Sequence, residues 1–334
     1  MKAYITKSYG ADARFEFGEI ETPKLSSGQV MIEVKATSIN AIDNKFLRHE
    51  IGLNPELPAI LHGDVAGVIR EVSGDVTNLK IGDEVYACAG GFLGNPGALA
   101  EFMPADARFV AHKPKSIIFA EAAALPLVAI TAWEALADSA KIKSGDHVLI
   151  HAAVGGLGHA ALQTAKALGA KVATTVSSER AADIARELGA DEIINYREES
   201  VEDYVQRLTD GSGFDMVYDT VGGSNFENCL QAIRNYGKVV TVFTGTTATK
   251  LELMTSFIKS GHIHTQNMSI PLVSGQGRQH HGEILRNVAK WVDEGKVKPL
   301  VDPQIFTFEE ANEAHAYFEA KKHTGKVVLT ANWN

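Results

Sequence analysis

The sequence predicts an α/β fold, a doubly wound parallel sheet accompanied by a second, mostly β unit. Three observations carry this. From residue 147 onward apolar strand-like runs alternate with amphipathic helical ones. Through the first third, short β-type runs are separated by glycine-containing turns. At 334 residues the chain is also too long for one ordinary core, so two domains are expected.

Taken in order, residues 29–36 follow the turn Ser26-Ser27-Gly28 as a strand, residues 64–72 form another, and Gly82-Asp83 turns residues 84–87 into a third. Short strands of this kind suggest a compact unit with barrel-like closure. Near Ser116 the pattern changes. Residues 119–125 are alanine-rich and helical, Pro126 interrupts, and helical spacing resumes over 130–136. Strands then fall at 147–151, 171–176, 192–195, 215–218, 238–243 and 263–266, with helices at 159–168, 179–188, 201–208 and 225–232 between them. Regular βαβ alternation requires a parallel sheet covered on both faces. Helices over 283–294 and 308–321 and a closing strand over 326–330 complete the chain, and residues 45–57, 90–97 and 269–279 are expected as pocket-lining loops.

A net charge of −9 and a pI near 5.8 argue against a broad surface for nucleic acid or anionic lipid, although a small basic pocket is compatible with both. The N-terminus opens like a strand and shows no signal-peptide core, and no run of 18 apolar residues is present, so no membrane span is expected. Cys88 and Cys229 are the only cysteines, which points to a reducing compartment, and the cytoplasm is the expected location.

The strongest motif is Gly155-Gly156-Leu157-Gly158, set between the strand at 147–151 and the helix at 159–168. Glycines let backbone N–H groups approach phosphate oxygens. The helix terminus adds roughly half a positive charge and unpaired donors. A side chain at position 158 would push the helix off the sheet. The first glycine of the usual triplet is Ala153. Strand, turn and helix in a βαβ series identify a Rossmann dinucleotide site.

The end of the next strand selects the dinucleotide. An NAD site places Asp or Glu there to bind the ribose 2′-OH, whereas this chain has Val176-Ser177-Ser178. Ser177 and Ser178 can donate to a 2′-phosphate and Arg180 can neutralise it, so NADPH is the expected cofactor. The serines can equally cap the helix that starts near Glu179, and the two roles are compatible.

The ordered segments Ser38-Ile39-Asn40-Ala41-Ile42-Asp43, Gly63-Asp64-Val65-Ala66-Gly67-Val68, Gly82-Asp83-Glu84-Val85, Thr131-Ala132-Trp133-Glu134-Ala135-Leu136, the glycine turn and Thr324-Gly325-Lys326-Val327-Val328-Leu329 together resemble the medium-chain dehydrogenase/reductase superfamily, in its zinc-independent quinone oxidoreductase branch. The resemblance spans nearly the whole chain. It implies a discontinuous GroES-like catalytic domain (1–118 and 266–334) with the Rossmann domain (119–265) inserted, and a homodimer formed through Rossmann edge strands. It places Thr131 near the nicotinamide and Asn40 near the reacting face. Ser177, Arg180 and Tyr196 would surround the 2′-phosphate, and Thr220 and Phe243, with Lys326 as a weaker candidate, would line the cofactor path.

Zinc-dependent members of the superfamily use a Cys ligand where this chain has Asn40 and a His ligand where it has Gly63; their third ligand falls near Leu127. Two cysteines cannot build the four-cysteine structural lobe, and the stretch 89–100 holds none, so no metal is expected. His62, one position from the ligand slot, reads either as a satisfied core residue or as a hydrogen-bonding partner of the substrate, and is kept as a catalytic candidate with Asn40 and Thr131. Asp43 reads as a structural hydrogen-bonding residue or a general base.

Without a metal the protein mainly orients the nicotinamide hydride against an electrophile that needs little activation. Quinones and conjugated enals or enones fit, and a simple ketone fits poorly. The expected activity is NADPH-dependent reduction of such small molecules. The alternatives are a reductase of a more specialised carbonyl or enoyl substrate, an NADPH-binding sensor, or a nucleic-acid-binding protein, the last disfavoured by charge.

Overall fold

The chain opens with an antiparallel pair, β1 (Lys2–Thr6) and β2 (Phe15–Glu19). The computed structural model describes residues 1–242 and 253–333. β3 (Gln29–Ser38) leads into α1 (Ala41–Arg48), followed by β4 (Asp64–Val72), β5 (Glu84–Cys88), β6 (Phe102–Asp106) and β7 (Ala111–His112). β3 is the centre of this unit. It pairs antiparallel with β4 and with β6 at one end, and its register with β4 shifts between Met31 and Ile32 and between Val34 and Ala36. Such irregularities bend a strand and let it serve two neighbours.

α2 (Phe119–Ala123) and α3 (Pro126–Trp133) follow, and α3 runs on as a π-helical turn, Glu134–Ser139. The expected interruption at Pro126 is present, since α2 ends at Ala123, but helix resumes at 126 rather than 130. Pro126 starts α3, where its missing N–H would have been unpaired anyway.

β8 (His147–Ile150), α4 (Gly158–Ala167), β9 (Lys171–Val176), α5 (Glu179–Glu187), β10 (Glu192–Asn195), α6 (Val201–Thr209), β11 (Phe214–Asp219), α7 (Asn225–Ala232), β12 (Ile233–Thr241), α8 (Leu253–Lys259) and β13 (His262–Thr265) form the α/β unit. Its strands lie in the order β10-β9-β8-β11-β12-β13, all parallel. The first three strands run outward in one direction and the next three in the other, so the switch point lies between β8 and β11. That is the dinucleotide-binding order. Leu149, Ala173, Val217 and Val239 from four strands pack with Tyr204, Phe226 and Leu230 of α6 and α7 in one buried cluster. β12 begins five residues before the expected 238, and its expected end at Phe243 lies outside the described residues.

The chain returns through α9 (Ile270–Ser274), α10 (Arg278–Asp293), β14 (Phe306–Thr307), α11 (Ala311–Glu319) and β15 (Val328–Thr330). β15 pairs antiparallel with β3 and so joins the β-rich unit. By contacts the chain divides into one unit of residues 1–130, 269–295 and 299–334 and another of residues 131–268 and 296–298. Two of the expected loops are partly helical, since α1 reaches Arg48 and α9 occupies 270–274. α10 starts five residues early, because Gly277 at φ +82° supplies the left-handed turn that opens it.

Candidate active site

In the α/β unit, β8 ends at Ile150 and α4 starts at Gly158, so the glycine turn stands at the carboxyl end of a central strand. Ala152 turns the chain with φ +53°. A Cβ on Gly158 would lie 2.1 Å from the Ala152 carbonyl oxygen and 2.8 Å from Ala153 Cα, both backbone atoms that cannot yield locally. Helix and turn therefore touch through a hydrogen atom. No side chain caps α4 at Leu157, and His159 N–H donates to the Gly155 carbonyl at 3.2 Å, tying the first turn of the helix to the glycine turn. The residues present suit a pyrophosphate. His151 braces the turn from below. Its Nδ1 lies 3.2 Å from Thr175 Oγ1, which also accepts from Ala152 N–H at 3.1 Å, and burial lowers the His151 pKa to about 4. Thr220 Oγ donates to the His151 carbonyl at 2.6 Å, tying the end of β11 to the same turn.

At the next strand end the register pairs Asn195 with Val176, so Ser177 and Tyr196 emerge side by side, and Tyr196 N–H donates to the Val176 carbonyl at 3.3 Å. Ser178 caps α5, its Oγ accepting from Ala181 N–H at 3.3 Å. The capping reading of that serine is realised, and its hydroxyl proton stays available. Arg180 and Tyr196 are exposed. Four of the expected cofactor residues thus gather at one strand end. Thr131, at the C-terminal half of α3, is buried, and its carbonyl accepts from Tyr218 Oη at 3.4 Å. Phe243 lies outside the described residues.

In the β-rich unit Asn40 and Asp43 flank the start of α1. Asn40 is only 4% exposed, and Asp43 and Asp64 are fully buried. Asn40 Nδ2 donates to Asp64 Oδ2 at 2.7 Å, Ser38 Oγ donates to the same oxygen at 2.8 Å, and Leu127 N–H donates to Asp64 Oδ1 at 2.8 Å. Asp43 accepts from Asn40 N–H at 2.8 Å and Gly63 N–H at 3.3 Å, and burial pushes its pKa up to about 7. Lys326, also buried, donates to Asn40 Oδ1, to the Ile39 carbonyl at 3.1 Å and to Asp64 Oδ2 at 3.4 Å. Burial lowers its pKa, against the pull of Asp64 and Asp43. Sequence reasoning named Asn40 and missed this cluster. The available signal was a lysine directly before the apolar run Val327-Val328-Leu329, where a charge carried into the interior needs a partner.

His62 takes φ +75°, a left-handed conformation uncommon outside glycine, and its ring is fully buried. Its Nε2 lies 2.9 Å from His315 Nε2, while His315 Nδ1 faces Asn44 Oδ1 at 3.2 Å. One ring nitrogen donates to the other, and the Thr37 hydroxyl, which donates to the Asp64 carbonyl at 2.6 Å, lies 3.4 Å from His62 Nδ1. Burial holds His62 well below its ordinary pKa and His315 at about 3. Both are neutral, and the geometry is that of a satisfied core pair.

The donor set around Asn40 does not fit zinc. Position 63 has no side chain, and a Cβ there would meet the Gly90 carbonyl oxygen at 3.0 Å and Cys88 Sγ at 3.2 Å. An ammonium already stands against Asn40 and Asp64. Among the described residues no group of three or more His, Cys, Asp and Glu side chains is arranged to hold a metal.

Residues 26–115 match the alcohol dehydrogenase GroES-like domain family, and residues 188–329 match the family described as zinc-binding dehydrogenase. A 2-methylene-furan-3-one reductase of Solanum lycopersicum is 33% identical over 98% of this chain and 79% of its own length. An NADPH-dependent alkenal/one oxidoreductase of Arabidopsis thaliana is 32% identical over the same shares. The solved structure of Escherichia coli quinone oxidoreductase complexed with NADPH superimposes with a TM-score of 0.86 at 27% identity, covering 99% of this chain and all of the other. Strand order, glycine turn and these whole-length similarities agree, and the chain belongs to the medium-chain dehydrogenase/reductase superfamily, in its quinone and alkenal oxidoreductase branch.

Proposed function

We propose that this protein is an NADPH-dependent oxidoreductase that reduces quinones or conjugated enals and enones. The observation that carries the reading is the joint presence of the phosphate turn closed at Gly158 and a β9 end bearing Ser177, Ser178 and Arg180 in place of a carboxylate. Two relatives similar over 98% of this chain carry matching names: one is a 2-methylene-furan-3-one reductase and the other an NADPH-dependent alkenal/one oxidoreductase.

Bound NADPH supplies a hydride. Gly155, Gly156, Leu157 and Gly158 hold the pyrophosphate, and Ser177, Arg180 and Tyr196 hold the 2′-phosphate. Thr220 and Thr131 fix the path toward the nicotinamide, and Asn40 holds the substrate oxygen. His62 acts from behind, buttressing the segment that carries Asp64. Quinones and enones accept hydride without a Lewis acid, since aromatisation or conjugation carries the charge.

Titration with NADPH and NADH, followed by turnover on a panel of quinones and enones, tests the reading. Tighter binding of NADH would overturn the cofactor assignment, and binding without turnover would mark a sensor.

The reading includes a homodimer formed through β13, the edge strand of the parallel sheet. Met254, Phe257 and Ile258 of α8 support it, being 64%, 79% and 72% exposed on the element before that edge. Sedimentation at micromolar concentration checks it, and a monomer would refute it. Both cysteines are free and buried, which suits the reducing environment of the cytoplasm, and no helix among the described residues is long and apolar enough to cross a membrane.

A further inference from the structure

Lys326 is buried in the β-rich unit with all three ammonium protons committed, to Asn40 Oδ1, the Ile39 carbonyl and Asp64 Oδ2. It has no proton left for a ligand, so whatever it does it does through Asn40 and Asp64. The Asn40 amide lies between these opposite charges. Its oxygen faces the ammonium and its nitrogen faces the Asp64 carboxylate at 2.7 Å. Turning the amide over would set NH2 against ammonium and oxygen against carboxylate. The two charges therefore allow one orientation only. One Nδ2–H is used on Asp64, which leaves the other as the single amide proton without a partner among the described residues. An ammonium on the amide oxygen also polarises the group and strengthens its N–H as a donor.

We propose that Lys326 is a positioning residue for catalysis, orienting and polarising the Asn40 amide so that its second N–H stabilises negative charge developing on the substrate's carbonyl oxygen. This rests on the proposed reading that the carbonyl docks at Asn40. When hydride adds to the β-carbon of an enone, the alkene electron pair moves toward oxygen and an enolate oxygen forms. The oriented N–H meets that oxygen, and water then protonates the α-carbon. The help matters more for an enone, whose enolate is strongly basic, than for a quinone, whose hydroquinone anion is weakly so. In this arrangement a fixed ammonium acting through an amide stands where a metal-dependent relative keeps its Lewis acid.

The test uses the full chain with NADPH and two electron acceptors, 3-buten-2-one and 1,4-benzoquinone. Lys326→Met is expected to lower kcat for the enone by about 10- to 100-fold, to lower it less for the quinone, and to leave NADPH affinity unchanged. Adding Asn40→Ala to Lys326→Met should cost no more than Asn40→Ala alone. A lysine that only supports the fold would cost the same in both backgrounds and on both substrates, and that result overturns the proposal. Lys326→Gln keeps a donor to Asn40 without the charge and serves if the Met variant does not fold. Wild-type enone kcat in Lys326→Gln would remove the polarising role and overturn the proposal as stated. If the wild type turns over neither acceptor, the proposed function falls and this inference falls with it. Turnover by the wild type with unchanged kcat in both Lys326 variants overturns this inference alone.

Discussion

Gly158→Ala should weaken cofactor binding far more than it destabilises the fold. The added Cβ would sit 2.1 Å from the Ala152 carbonyl oxygen, where ordinary contact begins at 3.4 Å, and its other near neighbours, Ala152 C and Ala153 Cα, are also backbone. The start of α4 must retreat from the turn by about 1 Å. A phosphate hydrogen bond near 2.9 Å then stretches past the limit of useful interaction. Losing two such charge-assisted bonds, at roughly 1.5–3 kcal/mol each, weakens NADPH binding by about 100-fold or more. Strain in the packed turn lowers stability by about 1–3 kcal/mol. Gly74→Ala is the control, because nothing lies within 4 Å of its added Cβ. Fluorescence titration with NADPH and urea unfolding measure the two effects. If Gly158→Ala binds NADPH within twofold of the wild type, the close approach is irrelevant to phosphate binding and the reasoning fails.

Three further outcomes follow from the geometry. Arg180→Ala should weaken NADPH binding by roughly 10- to 100-fold while leaving NADH binding unchanged, since only the 2′-phosphate needs the guanidinium; parallel titrations check it. Ser178→Ala should lower stability by about 1 kcal/mol through loss of the α5 cap, visible as a lower Tm, with a smaller effect on NADPH affinity than Arg180→Ala. His315 has its pKa lowered to about 3, so as pH falls below the ordinary histidine value the unfolded chain takes up a proton first and stability is lost. At pH 5 this histidine accounts for about 2 kcal/mol of that loss, and His315→Phe should shrink the difference in unfolding free energy between pH 7 and pH 5 by that amount in urea titrations.

The α/β unit was largely legible because its signals are local. Apolar runs, a glycine turn and intervening amphipathic helices located β8 to β11 to within about a residue at each end. The departures have physical causes. Helical spacing after Pro126 reads as resuming at 130 although proline suits a helix's first position, and α10 reads from its apolar face, which begins after the glycine that caps it. The buried cluster was not legible in the same way. Lys326 meets Asn40 across 286 residues and Asp64 across 262, and His62 meets His315 across 253. Nothing in local periodicity encodes such pairings. Resemblance located Asn40, but only folding the two chain ends together shows what holds it.

Folding energy alone does not account for that cluster. Taking an ammonium and a carboxylate out of water costs several kcal/mol per ion, and a buried ion pair commonly does no better than apolar side chains of the same volume. Here a buried lysine and two buried carboxylates surround one asparagine in a unit otherwise lined by residues such as Ile32, Phe46, Leu61 and Leu99. Lys326 and Asp64 neutralise each other at 3.4 Å. Asp43 is a second carboxylate beside that pair, and burial raises its pKa to about 7, so that its charge is lost as the pH falls below neutrality. What the pair does supply is direction. Opposite charges on the two ends of one amide make a single orientation much lower in energy than the other, and an apolar replacement of equal stability would leave the amide free to turn. Gly63, where a Cβ would crowd the Gly90 carbonyl oxygen at 3.0 Å, leaves the neighbouring position without a competing ligand. That direction is what the role proposed for Asn40 requires: one N–H held in a single orientation toward the substrate oxygen.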